Sequence, residues 1–314
     1  MIQREKTANK GLEEISHFFL SNVSPREKKG KVSFDPFEEA LLPEKKKRIL
    51  PFLSTCSNIP TSFFTCNLGL DLAHLGKEVF IIDIEKRQPN VESLFGLKPV
   101  SLGLSDILFP SENKIFRNVE PHLRVLDVRL DLGSLPSPHR ERDKRLVDLL
   151  SREEALAEWM LINLPKSNSL VLQNTEWVSK INEMVIFMDS QPQNLMETYS
   201  LVKALYAAKP DLIIYASICE VSTVQEAQST FGKIQTGVEK FLGKPLRSLG
   251  YLLRDPLISQ SIYEQIPVMS GIHPWIQKAL KTMTRILVES DAPGGRFFSG
   301  ERSDQVKESK IDRP

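Results

Sequence analysis

Between residues 49 and 85 the chain reads ILPFLSTCSNIPTSFFTCNLGLDLAHLGKEVFIIDIE. A short apolar run at 49–53 gives way to a polar turn. Phe64, Leu68, Leu72 and Leu75 then recur at helical spacing, and a second apolar run at 79–82 ends in Asp83. A run too short for a helix, a 3.6-residue period and another short run spell a βαβ unit. The alternation continues down the chain. Apolar runs at 123–128, 159–162, 184–188, 212–218 and 248–253 predict further strands. Leu195, Tyr199, Val202 and Leu205 mark one helix between them, and Val224, Ala227, Phe231, Ile234, Val238 and Phe241 mark another. Two more helices are expected at 257–264 and 274–288. The stretch 129–145 carries charges of both signs, which reads as a solvated surface, and Leu146, Leu149, Leu150 and Leu156 follow it at helical spacing. Strands alternating with helices predict an α/β domain in three layers, a mostly parallel twisted sheet with helices on both faces.

The flanks follow a different pattern. Within residues 1–22, Leu12, Ile15, Phe18 and Phe19 stand at helical spacing, with Glu13 and Glu14 where a helix N-terminus favours acids. A helix this short must pack somewhere to persist. It is therefore expected to dock, on its own domain or on a partner, with Ile15, Phe18 and Phe19 as the contact residues. Residues 23–47 carry Pro25, Pro36 and Pro43 and intersperse lysines with glutamates, which reads as a charged linker. The α/β domain is expected over 48–290, and the polar, Gly- and Pro-containing stretch 291–314 as a disordered tail.

Composition narrows the partners. With 41 basic against 40 acidic residues the net charge is +1, so nucleic acid is not an expected ligand. The cysteines Cys56, Cys66 and Cys219 are odd in number and lack metal spacing, which suits a reducing cytoplasm. No two of the five histidines pair on a helix face, so no metal is expected. The N-terminus lacks the pattern of a signal peptide and no apolar run approaches the ~18 residues of a spanning helix, so a cytoplasmic location is expected. Phe297 and Phe298 beside glycines do not make a basic amphipathic helix, and membrane association is not expected.

The chemistry turns on the loop after the first strand. In a βαβ unit that loop lies at the carboxyl edge of the sheet, where backbone N–H groups and a helix N-terminus can hold an anion. Around it stand Asn67, Leu68, Leu72, Ala73, Leu75, Gly76 and Lys77, the run 79–83, Asn90, Val91 and Glu92, the run 94–97, and the run 104–108. Further on come the strand at 159–165, Ser190, Gln191 and Pro192, the run 241–243, Leu249, Gly250 and Tyr251, Asp255 and Pro256, and the run 265–268. In order and spacing these resemble the MinD/ParA family of P-loop ATPases, most of all the branch that sets flagellar number and position. The resemblance covers residues 46–290 and implies a P-loop NTPase-like fold.

It also implies a Lys-Gly-Gly-x-Gly-Lys-Thr loop, in which glycines let N–H groups close on phosphates and lysines neutralise them. This chain has Cys56, Ser57, Asn58, Ile59, Pro60, Thr61 and Ser62 there, with no glycine and no lysine. Pro60 also removes an N–H donor. Ser62, in the magnesium-binding hydroxyl position, still fits. Asp83 survives, Glu85 stands at the next carboxylate position, and the Walker B aspartate is replaced by Asn163, which cannot supply charge to a magnesium–water shell. The family's adenine-reading asparagine has no counterpart in the run 215–219. Phosphoryl transfer depends on positioned charge. The expectation is therefore a pseudo-ATPase: a non-catalytic MinD/ParA-like protein with no cofactor, acting as a binding or regulatory factor with a protein partner. Its process would be flagellar placement, cell-pole organisation or division-site positioning. A nucleotide-driven dimer is not expected, since Cys56 replaces the lysine that relatives use across it. The alternative is a divergent ATPase using Ser62, Asp83 and Glu85 with ATP and magnesium; a third reading is a DNA-associating protein.

Overall fold

In the computed structural model of the chain, the described residues are 47–56, 58–85, 88–98, 116–126, 152, 154–165, 176–271 and 273–293. Strand β1 (Arg48–Ser54) is buried along its whole length. Its side chains split between two cores, Ile49 and Leu53 on one face and Leu50 and Phe52 on the other. A strand buried on both faces needs a continuous apolar run rather than an alternating one, as residues 49–53 supply.

Helix α1 (Thr61–His74) follows the loop, and every residue in it except His74 is buried. A helix apolar on all sides is one enclosed by its neighbours. It lies close against the sheet at Gly69, where an added Cβ would come within 2.9 Å of the Ile81 side chain. Strand β2 (Val79–Asp83) and the single helical turn α2 (Val91–Leu94) come next. Then follow β3 (Phe116–Glu120), β4 (Leu123–Leu126), β5 (Trp159–Asn163) and β6 (Glu183–Met188). Helix α3 (Pro192–Ala208), β7 (Ile213–Val221), α4 (Val224–Leu242), β8 (Arg247–Leu253), α5 (Pro256–Glu264) and α6 (Pro274–Glu289) complete the series. The eight described strands form one sheet in the order β3-β4-β2-β5-β1-β6-β7-β8. Every neighbouring pair is parallel except β3 and β4. One core joins the sheet to α3 and α4, and the other joins it to α1 and α6. This is the three-layer α/β arrangement expected from the alternation of elements.

A buried ion pair anchors the amino end of the sheet. Arg48 is 5% exposed and Glu183 1%. Arg48 donates from Nε to Glu183 Oε1 at 2.6 Å, from Nη2 to Glu183 Oε2 and from Nη1 to the Leu287 carbonyl, tying β1 to β6 and α6. Its guanidinium also lies over the Trp159 ring, 4.5 Å from the centroid.

The structure corrects three details. Leu75, placed on the buried face of α1 by its spacing, is the C-cap and is 57% exposed, because the helix ends at His74. Phe241 is 68% exposed, since the buried stripe of α4 is made by Ala227, Thr230, Ile234 and Val238. Strand β3 carries no apolar run; it pairs antiparallel with β4 at the edge of the sheet, where half-buried residues suffice. The expected docking helix with Ile15, Phe18 and Phe19, most of the linker, the runs 104–108 and 129–145, and the tail from 294 lie outside the described residues. No described helix is long and apolar enough to cross a membrane.

Candidate functional site

The loop after β1 folds back on its own strand. Ser54 Oγ accepts from the Cys56 N–H at 3.1 Å and donates to the Ile59 carbonyl at 3.2 Å. Cys56 and Ile59 are buried, while Asn58 is exposed. Ser57 lies outside the described residues. Beneath the loop, Phe64 of α1 stacks on Phe187 of β6 with ring centroids 3.6 Å apart, and Phe52 meets Phe187 edge-on. Thr55 is fixed on the other side, its N–H donating to the Phe187 carbonyl at 2.8 Å and its hydroxyl bonded to that of Thr198 in α3 at 2.9 Å.

Helix α1 begins with Pro60 as N-cap in an extended conformation, and no side chain caps it. The Pro60 carbonyl accepts from the Phe63 N–H at 3.1 Å. Proline at this point supplies a carbonyl but no donor. Ser62 donates its hydroxyl proton to the Pro89 carbonyl at 2.7 Å. Thr61 Oγ1 is buried without a hydrogen-bond partner.

Asp83 and Asn163 end the adjacent strands β2 and β5 and stand opposite each other in register. Asn163 Nδ2 donates to Asp83 Oδ1 at 2.7 Å. The same carboxylate accepts from the Glu85 N–H at 3.0 Å and the Val91 N–H at 2.8 Å. The Thr65 hydroxyl, one turn into α1, lies 3.1 Å from the Thr61 carbonyl and 3.3 Å from Asn163 Oδ1 and shares its single proton between these two acceptors. Burial pushes the Asp83 carboxyl up to about 6 against the three donated hydrogen bonds, and the nearby Glu85 charge adds to the rise. Cys66, on the same helix, is raised by its own burial and by the Asp83 charge. Three N–H donors thus converge on the Asp83 carboxyl.

On the far side of the loop, Asn58 Nδ2 donates to Glu220 Oε2 at 3.2 Å, and Arg254 stands 3.8 Å from the same oxygen. The structure thus gathers Cys56, Asn58, Ile59, Pro60, Thr61, Ser62, Asp83, Glu85 and Asn163 at the carboxyl edges of β1, β2 and β5. Sequence reasoning missed Thr65, Pro89, Glu220 and Arg254. Thr65 had a local signal, since it follows Thr61 by one helical turn; the others come from distant segments and had none. Among the described residues, no group of three or more His, Cys, Asp or Glu side chains is placed to hold a metal.

No protein-family model matches the chain, and no curated protein is similar enough to match. Solved structures do. The MinC:MinD cell division protein complex of Aquifex aeolicus is 16% identical over 80% of this chain and 99% of that one, with a TM-score of 0.57. The septum site-determining protein MinD of Pyrococcus horikoshii, complexed with Mg-ADP, is 16% identical over 77% of this chain and 96% of that one, with a TM-score of 0.56. A putative plasmid partition protein of Borrelia burgdorferi bound to AMPPNP is 13% identical over 77% of this chain and 99% of that one, with a TM-score of 0.55. The structural neighbours are MinD/ParA-type P-loop ATPases, and the fold is theirs.

Proposed function

We propose that this protein is a pseudo-ATPase of the MinD/ParA fold, a non-catalytic binding or regulatory factor in cellular positioning. The observation that carries the reading is the Asn163–Asp83 contact. Where a second carboxylate would help hold a hydrated magnesium ion, the Asn163 amide instead donates a hydrogen bond to the Asp83 carboxylate. The surrounding donor set points the same way. Residues 56–62 supply no lysine, Pro60 supplies no N–H, and the Ser62 hydroxyl donates to Pro89. A triphosphate would have to give up its hydration for few compensating charges. These residues do not fit ATP with magnesium.

The process is read from the neighbours and from the sequence resemblance: flagellar placement first, with cell-pole or division-site positioning beside it. The partner is expected to be a protein, as MinC is for MinD in the Aquifex complex, with Ile15, Phe18 and Phe19 as contact residues and the cytoplasm as the compartment. Replacing Phe18 and Phe19 with serine should reduce co-purification of the partner while leaving the melting temperature in place. A fall in melting temperature with unchanged co-purification would assign the segment to the chain's own core.

The central test is a melting experiment with millimolar ATP and magnesium. A ligand at 100 times its Kd adds about 2.7 kcal/mol, roughly 5–10 °C for a domain of this size. The expected shift is nil, and a clear magnesium-dependent rise would overturn the reading. One observation favours the alternative, a divergent ATPase: the unpartnered Thr61 hydroxyl in the first turn of α1, a place suited to an anion. The same melting experiment decides between the two.

A further inference from the structure

The end of β7 departs from regular geometry. Its pairing with β8 shifts register between Cys219 and Val221, and between them Glu220 takes a left-handed conformation with φ of 59°. Only glycine adopts that conformation freely, so a glutamate held there implies that its surroundings impose it. The Glu220 carboxylate accepts from Asn58 of the loop at 3.2 Å and lies 3.8 Å from Arg254 Nε. Arg254, just beyond β8, also donates from Nη2 to the Glu220 carbonyl at 3.1 Å and from its N–H to the Val221 carbonyl at 2.9 Å. One residue earlier, Cys219 is buried, and its thiol is pushed up by that burial first and by the nearby Cys56 thiol second. Glu220 of β7 therefore holds Asn58 of the loop, and Arg254 holds the β7 bulge from behind.

We propose that Asn58, Glu220 and Arg254 form a clasp that straps the loop after β1 down over the carboxyl edge of the sheet, with Glu220 as its positioning residue. Three segments that never approach one another in sequence meet on one carboxylate. The bulge is what makes the meeting possible, because regular strand geometry would send residue 220 to a fixed face of the sheet. The loop's conformation is then set by the chain itself, through β7 and β8. A glutamate also brings a negative charge to the loop that a phosphate would have to approach. The inference rests on this geometry and stands whether or not the protein hydrolyses ATP.

Hydrogen exchange on the full chain, read by mass spectrometry, tests the clasp. In Glu220→Ala, exchange of amides 55–59 should rise about tenfold, the change expected when a charge-assisted hydrogen bond is removed from a local opening equilibrium. Amides of β2 and β5 should keep their wild-type rates. Asn58→Ala, a change at an exposed residue, should produce the same local rise. The double variant should add nothing further. Glu220→Gln keeps an oxygen for Asn58 and should retain part of the protection. Alkylation of Cys56, mapped by peptide, should quicken in parallel. Unchanged exchange at 55–59 in both single variants would overturn the clasp. So would a rise spread evenly over the domain, which would make Glu220 a contributor to global stability. A magnesium–ATP melting shift in the wild type would overturn the pseudo-ATPase reading and leave these exchange results to judge the clasp separately.

Discussion

The two ends of β1 bury polar groups in different ways. At its amino end Arg48 sits in the interior, met by both oxygens of Glu183, by the Leu287 carbonyl and by the face of Trp159. At its carboxyl end the buried polar groups meet hydroxyls, a carboxamide and backbone groups and, among the described residues, no buried cation: Ser62 on a carbonyl, Asn163 and two backbone N–H groups on Asp83. One hydroxyl there, that of Thr61, has no partner, and one carboxyl is raised to about 6. The amino end is a closed electrostatic unit whose worth is structural. The carboxyl edge keeps Ser62 and Asp83 but spends both on holding its own backbone. Burial of charge, by itself, marks a structural site in this molecule.

The largest expected effect lies at the amino end. Glu183→Ala leaves Arg48 buried and unpaired and should lower unfolding free energy by about 3–5 kcal/mol, measured by urea denaturation. A loss below about 1 kcal/mol would show that water reaches the guanidinium and would erase the contrast between the two ends.

The next effect is at the carboxyl edge. The folded-state value of Asp83 is raised from 3.8 to about 6, so its contribution to stability is fully present below the lower value and is lost as pH rises through the upper one. Over that window the loss should amount to about 3 kcal/mol, and Asp83→Asn should abolish that part of the pH dependence. A wild-type curve that rises with pH over the same range at this group's expense would mean that the three donated hydrogen bonds outweigh burial.

The smallest effect concerns the orphan hydroxyl. Thr61→Val keeps the shape and removes an unpartnered polar atom, so stability should hold or rise by about 1 kcal/mol. A clear decrease would reveal a partner for Thr61, and would bring the carboxyl edge closer to the amino end in character.

Much of the fold was legible without coordinates. The buried run 49–53, the helical recurrence from Phe64 to Leu72 and the run 79–82 appear as β1, α1 and β2, because side-chain periodicity is a local record of which neighbours a residue faces. The alternation of elements was enough for the α/β class. Strand β3 was not legible, since an edge strand with half-buried residues leaves little periodic signal. Within the candidate site, the identities of Pro60, Ser62, Asp83 and Asn163 were plain in the chain, but their partners were not.

The sequence by itself determined the element types, their order and the chemical inventory of the loop, because each depends on residues within a few positions of one another. Only the tertiary structure decided that β5 would lie between β1 and β2, and so that Asn163 would donate to Asp83 across 80 residues. It alone paired Arg48 with Glu183 across 135 residues and Asn58 with Glu220 across 162. Such contacts arise when the packed sheet brings distant strand ends together, and no local period in the chain encodes which polar groups will then face each other.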